Sequence, residues 1–149
     1  MTIWVDADSA PNAVTAILVR ASLAREVDVV LVANRWIQKP KSLRVSVVTV
    51  GAGDDVADDY IVEQCGPGDM VITFDIPLAA RAVEQGARVV TPHGVELDAS
   101  NVRERLSKRD FAEQLRSMGI ETGGPDAFNN AHKEAFANAL DRWLTAQGK

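Results

Sequence analysis

The chain has 149 residues, of which 46% are hydrophobic and 25% charged, and its formal net charge at pH 7 is −5. This composition predicts one folded domain spanning residues 1–149 and argues against a disordered chain. The negative charge also argues against broad, nonspecific adhesion to nucleic acid, because such binding uses many Lys and Arg side chains to neutralise phosphates. It leaves nucleic acid open as a substrate.

The distribution of cysteine and of apolar residues indicates a cytoplasmic protein with no membrane attachment. Cys65 is the single cysteine, so it cannot form an intramolecular disulfide and lacks partners for a structural zinc site; we expect it in the core. The first residues reach an acidic side chain too early for a signal peptide, and no apolar run approaches the roughly 20 residues of a membrane helix.

Short apolar runs alternate with helical patterns over the first 91 residues. Strands are predicted at Thr2–Val5, Val27–Ala33, Val45–Val50, Asp69–Thr73 and Ala87–Thr91, and helices at Asn12–Arg25, Asp54–Cys65 and Pro77–Gln85. The nearly continuous β-branched runs are typical of strands buried on both faces. The alternation predicts an α/β fold with an open, mostly parallel sheet of about five strands and helices on both faces.

The pattern after Pro92 is helical. Helices are predicted at Asn101–Met118 and Ala131–Ala146, and we expect them to form a C-terminal helical appendage. The segment Thr122–Pro125 between them lacks the Lys of a phosphate-binding loop, so we interpret it as a turn between helices that could close over a site.

Aspartates follow two of the predicted strands. Asp6 and Asp8 come after the first strand and Asp75 after the fourth, where an acidic side chain has no obvious structural duty. In open α/β sheets, ligands bind outside the carboxyl ends of the strands. These three residues are therefore the leading candidates for a functional site.

Further aspartates begin the helix after the third strand. Asp55 lies three residues before Asp58 and four before Asp59, so at least two of these carboxylates share a helix face. Asp54 is interpreted as a helix cap, and Asp55 could also be a cap instead of a ligand. Asp69, in the sequence Gly-Pro-Gly-Asp, is predicted to be a turn residue and not a ligand.

The acidic cluster predicts a bound cation. Like charges held together are costly until a cation neutralises them, and carboxylate oxygens suit Mg²⁺ or Mn²⁺. One or two such ions could activate water for phosphodiester cleavage. The candidate metal ligands are Asp6, Asp8, Asp58, Asp59 and Asp75.

Residues after the second strand are candidates for substrate binding. Asn34 and Arg35 fall on the same predicted rim, and Arg35 could hold a phosphate by a bidentate contact. Trp36, among basic residues, could stack a base of single-stranded nucleic acid. The alternative that Trp36 packs the loop onto the sheet stays open. His93 and His132 are too far apart in sequence to suggest a histidine metal site.

Five segments in this order resemble the bacterial YaiI/YqxD family of uncharacterised proteins: VDADSAP, VANR, DDVADDYI, GDMVITFDIPLAARAVEQGARV and TGGPDAF. That family is in turn similar to PIN-like domains, which are metal-dependent ribonucleases. The resemblance implies that Asp6 and Asp8 are ligands after the first strand and that Asp58 or Asp59 is the helical ligand. It also implies that Asp75, in the sequence Thr73-Phe74-Asp75, is the late ligand.

The leading hypothesis is a Mg²⁺- or Mn²⁺-dependent phosphodiesterase acting on single-stranded RNA. Its catalytic residues would be Asp6, Asp8, Asp59 and Asp75, and its nucleophile a metal-activated water. Two alternatives remain open at this stage. One is a noncatalytic module that binds a cation or a basic partner on a nuclease-like scaffold, and the other is a small-molecule phosphatase.

Overall fold

A computed structural model describes residues 1–53, 55–117 and 128–149, with the backbone alone for residues 109–117. One six-stranded sheet organises this part of the chain, in the order β3-β2-β1-β4-β5-β6. The strands are β1 (Thr2–Asp6), β2 (Asp28–Ala33), β3 (Val45–Thr49), β4 (Met70–Ile72), β5 (Arg88–Val90) and β6 (Glu96–Leu97). β1 to β5 are parallel, and β6 runs antiparallel to β5.

Five helices accompany the sheet in the described residues, and they confirm the predicted α/β class. They are α1 (Asn12–Ala24), α2 (Val56–Gln64), α3 (Ile76–Glu84), α4 (Ala99–Ser117) and α5 (Asn130–Ala146). The prediction of about five strands missed β6, because a strand of two residues leaves no recognisable pattern. The predicted turn Thr122–Pro125, and Asp54, lie outside the described residues.

The buried residues form two hydrophobic clusters, one on each face of the sheet. Successive residues of a strand point to opposite faces, so Ile3 and Val5 of β1 join one cluster while the partly buried Trp4 packs against the other. The first cluster includes buried residues of α1 and α5, and the second those of α2 and α3. Burial on both faces explains why the strand sequences are nearly continuous apolar runs.

The last helix is a structural part of the core. Phe136, Leu140, Trp143 and Leu144 of α5 are at most 5% exposed and belong to the cluster that also holds α1. The expected helical appendage is thus present, but α5 closes one face of the sheet and does not lie outside it. Its apolar residues recur at helical spacing, which is the signal for this burial.

Two residues confirm structural interpretations made from the sequence. Asp69 accepts hydrogen bonds from the backbone N–H groups of Thr2 (2.9 Å) and Gly66 (3.2 Å) and from the indole of Trp4 (3.2 Å). It therefore holds a turn beside the start of β1. Cys65 is buried in the core.

None of the helices in the described ranges combines the length and apolar character needed to cross a membrane.

The turn between β5 and β6 approaches the start of α5 very closely. His93 stacks on His132 with ring centroids 3.7 Å apart, so the fold brings together two histidines that are distant in sequence. Gly94 has a φ of +87°, and a Cβ built on it would lie 2.5 Å from the carbonyl carbon of Ala135. Only glycine fits both the left-handed backbone and this contact.

Replacing Gly94 by alanine should therefore destabilise the fold strongly. We expect Gly94→Ala to lower the free energy of unfolding by at least about 2 kcal/mol, through backbone strain and the steric clash with α5. Gly68→Ala is the matched control, because Gly68 has a φ of +89° but nothing within 4 Å of its Cβ position. Chemical denaturation of both variants measures the difference; equal losses would contradict the close approach to α5.

Candidate functional site

The predicted site lies at the carboxyl ends of the central strands, where the order of the sheet reverses. The crossovers from β1 lead towards β2 on one side, whereas β4 lies on the other side of β1. Helices that leave neighbouring strands in opposite directions open a crevice at such a point. Residues at or after the carboxyl ends of four neighbouring parallel strands, β3, β2, β1 and β4, line one cavity of about 490 Å³.

Acidic side chains dominate the lining of this cavity. It is lined by Asp6, Asp8, Asn34, Gly53, Asp55, Ala57, Asp58 and Asp75. We call the five aspartates of this set the carboxylate group. The structure thus brings together all but two of the predicted site residues, Asp59 and Arg35.

Asp6 is the most deeply buried member, with 7% of its surface exposed at the end of β1. Its Oδ2 accepts hydrogen bonds from the hydroxyl of Thr73 at 2.8 Å and from that of Ser9 at 3.1 Å. The backbone N–H of Asp75 in turn donates to the Thr73 hydroxyl at 2.9 Å. Thr73 therefore ties the segment after β1 to the segment after β4.

Asp8 connects the site to the segment after β2. Its Oδ2 accepts a hydrogen bond from the backbone N–H of Asn34 at 3.0 Å, and its Oδ1 lies 3.3 Å from Nε of Arg35. Arg35 was predicted to contact a phosphate; in this structure its guanidinium pairs with Asp8. More than half of the Arg35 side chain, 63%, is still exposed.

Asp75 also serves as the N-cap of α3. Its Oδ1 accepts a hydrogen bond from the backbone N–H of Leu78 at 3.0 Å, which satisfies one of the unpaired donors of the first helical turn. Asp55 precedes α2 with a φ of 68°, in the left-handed region, and its side chain makes no cap hydrogen bond. The simple capping role considered for Asp55 is therefore absent.

The structure separates the two neighbouring candidates on α2. Asp58 lines the cavity, whereas Asp59 is turned away and forms an ion pair with Arg81 of α3 at 2.9 Å. Consecutive helical residues differ in direction by about 100°, so both could not face the same point. Asp55 and Asp58, three residues apart, share the face that the spacing predicted.

Burial and nearby negative charges raise the pKa values of two members of the group, Asp58 and Asp6. Burial, followed by the charges of Asp75, Asp6 and Asp55, raises the pKa of Asp58 to about 6, and the charge of Arg81 lowers it by less. Burial also raises the pKa of Asp6, against the hydrogen bonds from Thr73 and Ser9. The site therefore resists full ionisation of its carboxylates.

The carboxylate group is open and loosely spaced. In the described ranges, no three side chains of His, Cys, Asp or Glu stand in an arrangement that could hold a metal ion between them. The arrangement is a wide acidic cavity rather than a closed cage. Such a cavity can admit a hydrated cation or a ligand that carries one.

Two hydroxyl residues of the site were not among the predicted site residues. Thr73 and Ser9 each hold Asp6 and each contact the segment 74–75, because the N–H of Phe74 donates to the Ser9 hydroxyl at 3.4 Å. The signal was present in the short motifs Asp-x-Asp-Ser and Thr-x-Asp. Hydroxyl residues are too common near strand ends for that signal to stand out without a structure.

Removing the Thr73 hydroxyl should destabilise the chain. Valine has the shape of threonine but would leave the N–H of Asp75 unpaired and would deprive buried Asp6 of its shortest hydrogen bond. We expect Thr73→Val to lower the free energy of unfolding by about 2 kcal/mol. Thr73→Ser, which keeps the hydroxyl, should retain most of the stability in the same denaturant titration. A Thr73→Val chain as stable as the wild type would contradict this role.

Neutralising Asp58 should stabilise the chain at neutral and alkaline pH. Its pKa is about 6 in the folded state against an ordinary 3.8, so the folded chain holds this proton more tightly than the unfolded chain does. The resulting stability is fully present below pH 3.8 and is lost as the pH rises through about 6. We expect Asp58→Asn to melt at a higher temperature than the wild type at about pH 8, and at nearly the same temperature at about pH 4.

The matched control for that comparison is Asp59→Asn. Asp59 sits next to Asp58 but forms an exposed ion pair with Arg81, and such pairs contribute little to stability. Its melting temperature should change little at either pH. Measurements without divalent cations in which Asp58→Asn melts below the wild type at alkaline pH would show that the repulsion is absent.

Comparison with known proteins gives a family but no described activity. A model of the uncharacterised bacterial YaiI/YqxD family matches residues 4–146. A UPF0178 protein of Saccharophagus degradans is 52% identical over 145 residues, covering 97% of this chain and 96% of its own. The UPF0178 protein YaiI of Escherichia coli is 49% identical over 143 residues, covering 96% and 93%. No solved structure matches the chain. The chain therefore belongs to the YaiI/YqxD family of uncharacterised proteins.

Proposed function

We propose that this protein is a divalent-cation-dependent phosphodiesterase that acts on RNA. In this proposal Asp6, Asp8, Asp58 and Asp75 hold Mg²⁺ or Mn²⁺. The observation that carries the proposal is the convergence of these carboxylates, from three separate segments at the ends of parallel strands or on the following helix, on one cavity at the reversal of the sheet order. Enzymes of open α/β sheets commonly bind substrates in this position.

The chemistry of the side chains fits such a cation. The cavity offers carboxylate and amide oxygens, which are the donors that Mg²⁺ and Mn²⁺ prefer. Burial, and after it the charges of neighbouring aspartates, raises the pKa of Asp58, and a bound cation would offset that repulsion. Mg²⁺ usually keeps several waters and is held by one or two carboxylates together with substrate phosphates. A preformed cage of three side chains is therefore not required.

A divalent cation supplies Lewis acidity for a phosphodiester oxygen and lowers the pKa of water. The neighbouring residues of the chain hold the carboxylates in fixed orientations. Thr73 and Ser9 fix the orientation of Asp6 through hydrogen bonds to its Oδ2. Asp8 is fixed by Asn34 and Arg35, and Asp75 is fixed by α3. Side chains held in this way lose little conformational freedom when a ligand binds.

Asp58 replaces Asp59 as the proposed helical ligand. The sequence left either residue open, but Asp58 lines the cavity and Asp59 pairs with Arg81. The motif Thr73-Phe74-Asp75 is similar to the Thr-x-Asp element of PIN-like ribonucleases, and its threonine contacts Asp6 directly. This similarity supports phosphodiester cleavage over the phosphatase alternative. Arg35 supports an RNA substrate. Its guanidinium pairs with Asp8, but 63% of its side chain is exposed and can still contact a backbone phosphate.

The proposal predicts metal-dependent cleavage that depends on Asp75. We expect Mn²⁺ to raise the melting temperature and to support cleavage of single-stranded RNA. Asp75→Asn should reduce the rate at least about 100-fold, since it removes a ligand charge while its amide oxygen can still cap α3. Asp28→Asn is the control: Asp28 begins β2 at the opposite end of the strands and pairs with Arg44 on the surface.

The alternatives give different results in the same assays. Stabilisation by Mn²⁺ without cleavage of any RNA would favour the noncatalytic binding module. Release of phosphate from a small phosphomonoester, without RNA cleavage, would favour the phosphatase. The absence of any stabilisation by millimolar Mn²⁺ or Mg²⁺ would count against a cation site of either kind. Including Asp59→Asn tests the assignment on α2, because this variant should retain activity that Asp58→Asn loses.

A further inference from the structure

The loop after β2, residues 34–44, carries an unusually exposed tryptophan. The side chain of Trp36 is 78% exposed, although tryptophan is among the largest apolar side chains. Trp36 therefore does not pack the loop onto the sheet, which was the structural alternative considered for it. The neighbouring Ile37 performs that role by packing against the core cluster that holds α1 and α5.

Other contacts also anchor the loop without Trp36. The hydroxyl of buried Ser42 lies 3.0 Å from that of Ser22 on α1. The Nζ of Lys39 donates to the carbonyl oxygen of Ser42 at 2.9 Å. The loop is thus anchored by Ile37, Lys39 and Ser42, and the indole of Trp36 is not needed for this. A rigid backbone with an exposed aromatic ring is a ready stacking surface.

Trp36 borders a second cavity, of about 350 Å³, which adjoins the acidic one. Its walls include Ala7 and Leu31, which are apolar, and Asn12 and Gln38, which carry hydrogen-bonding groups. This volume is near the lower end of the range of about 300–1,000 Å³ for small-molecule sites. A lining that combines apolar side chains with hydrogen-bonding groups suits a flat, heteroaromatic ligand.

The ion pair between Asp8 and Arg35 links the linings of the two cavities. Asp8 lines the acidic cavity, and Arg35, 3.3 Å away, lines the second one with Trp36. The segment 35–41 contains Arg35, Lys39 and Lys41 and no acidic residue, in a chain with a net charge of −5. This local positive charge beside an exposed indole matches a polyanion that carries aromatic bases.

We propose that Trp36 and the second cavity form a nucleobase-binding subsite for single-stranded RNA. One base stacks on the indole of Trp36, and Arg35 contacts the backbone phosphate that leads from this base to the carboxylate group. This inference rests on the proposed phosphodiesterase function and specifies how its substrate is held. The subsite recognises the aromatic face of a base, so it accepts different base sequences.

The test compares two RNA probes of about eight nucleotides, within the usual site size of single-strand binders. One is an oligouridylate and the other is the same sugar-phosphate chain without bases. Binding is measured with Mn²⁺ in the Asp75→Asn chain, so that the probe stays intact. A change in tryptophan fluorescence on binding that Trp36→Ala abolishes reports stacking on Trp36, because Trp143 is only 5% exposed and Trp4 is partly buried and both are less open to the probe.

We expect the base-bearing probe to bind roughly tenfold tighter than the abasic probe, as one stacked base would give. Trp36→Ala should reduce this ratio to near one, and Trp36→Phe should preserve most of it. Leu43→Ala is the matched control, since Leu43 is fully exposed in the same loop. An unchanged ratio in Trp36→Ala, or no preference for the base-bearing probe, would overturn the subsite.

A separate measurement keeps this failure distinct from failure of the proposed function. Stabilisation by Mn²⁺ involves no base, so it should be the same in Trp36→Ala and in the wild type. If Mn²⁺ stabilises the chain and RNA is cleaved without any base preference, the function stands and the subsite is wrong. If Trp36 fluorescence changes with protein concentration alone, and sedimentation shows a dimer, this surface binds a second copy and the subsite is also wrong.

Discussion

The site depends on one constraint, the repulsion among carboxylates at the carboxyl ends of the central strands. Burial first, and then the neighbouring acidic side chains, raises the pKa values of Asp6 and Asp58. The surrounding contacts hold these charges in place without neutralising the group. The hydroxyl of Thr73 donates a hydrogen bond to Asp6, and a backbone N–H at the start of α3 donates one to Asp75. Arg35 forms an ion pair with Asp8. The excess negative charge that remains is the physical argument for a cation.

Much of the fold could be predicted from the sequence because its signals are local and strong. The buried strands are β-branched runs bounded by Gly, Pro or polar residues, and each of the five longer strands lies within or next to its predicted range. The two-residue β6 has no such pattern. The burial of α5 against α1 also required the structure, because an amphipathic sequence predicts that a helix packs but not what it packs against.

The site was predictable at the level of strand ends and not at the level of individual side chains. Asp6, Asp8 and Asp75 converge because the carboxyl ends of parallel strands share one edge. The difference between Asp58 and Asp59 depends on how α2 is rotated against the sheet: Asp58 lines the cavity, and Asp59 pairs with Arg81 of another helix. Thr73 and Ser9 act through contacts between residues more than 60 positions apart, which a local motif does not reveal.

A divalent cation bound by the carboxylate group, as we propose, can be located directly by crystallography. Crystals grown with Mn²⁺ would give an anomalous scattering signal at each bound ion. We expect a peak within coordination distance, about 2.0–2.6 Å, of oxygens from at least one of Asp6, Asp8, Asp58 and Asp75. Well-ordered crystals grown in millimolar Mn²⁺ that show no peak in this cavity, or a peak only elsewhere, would contradict the claim.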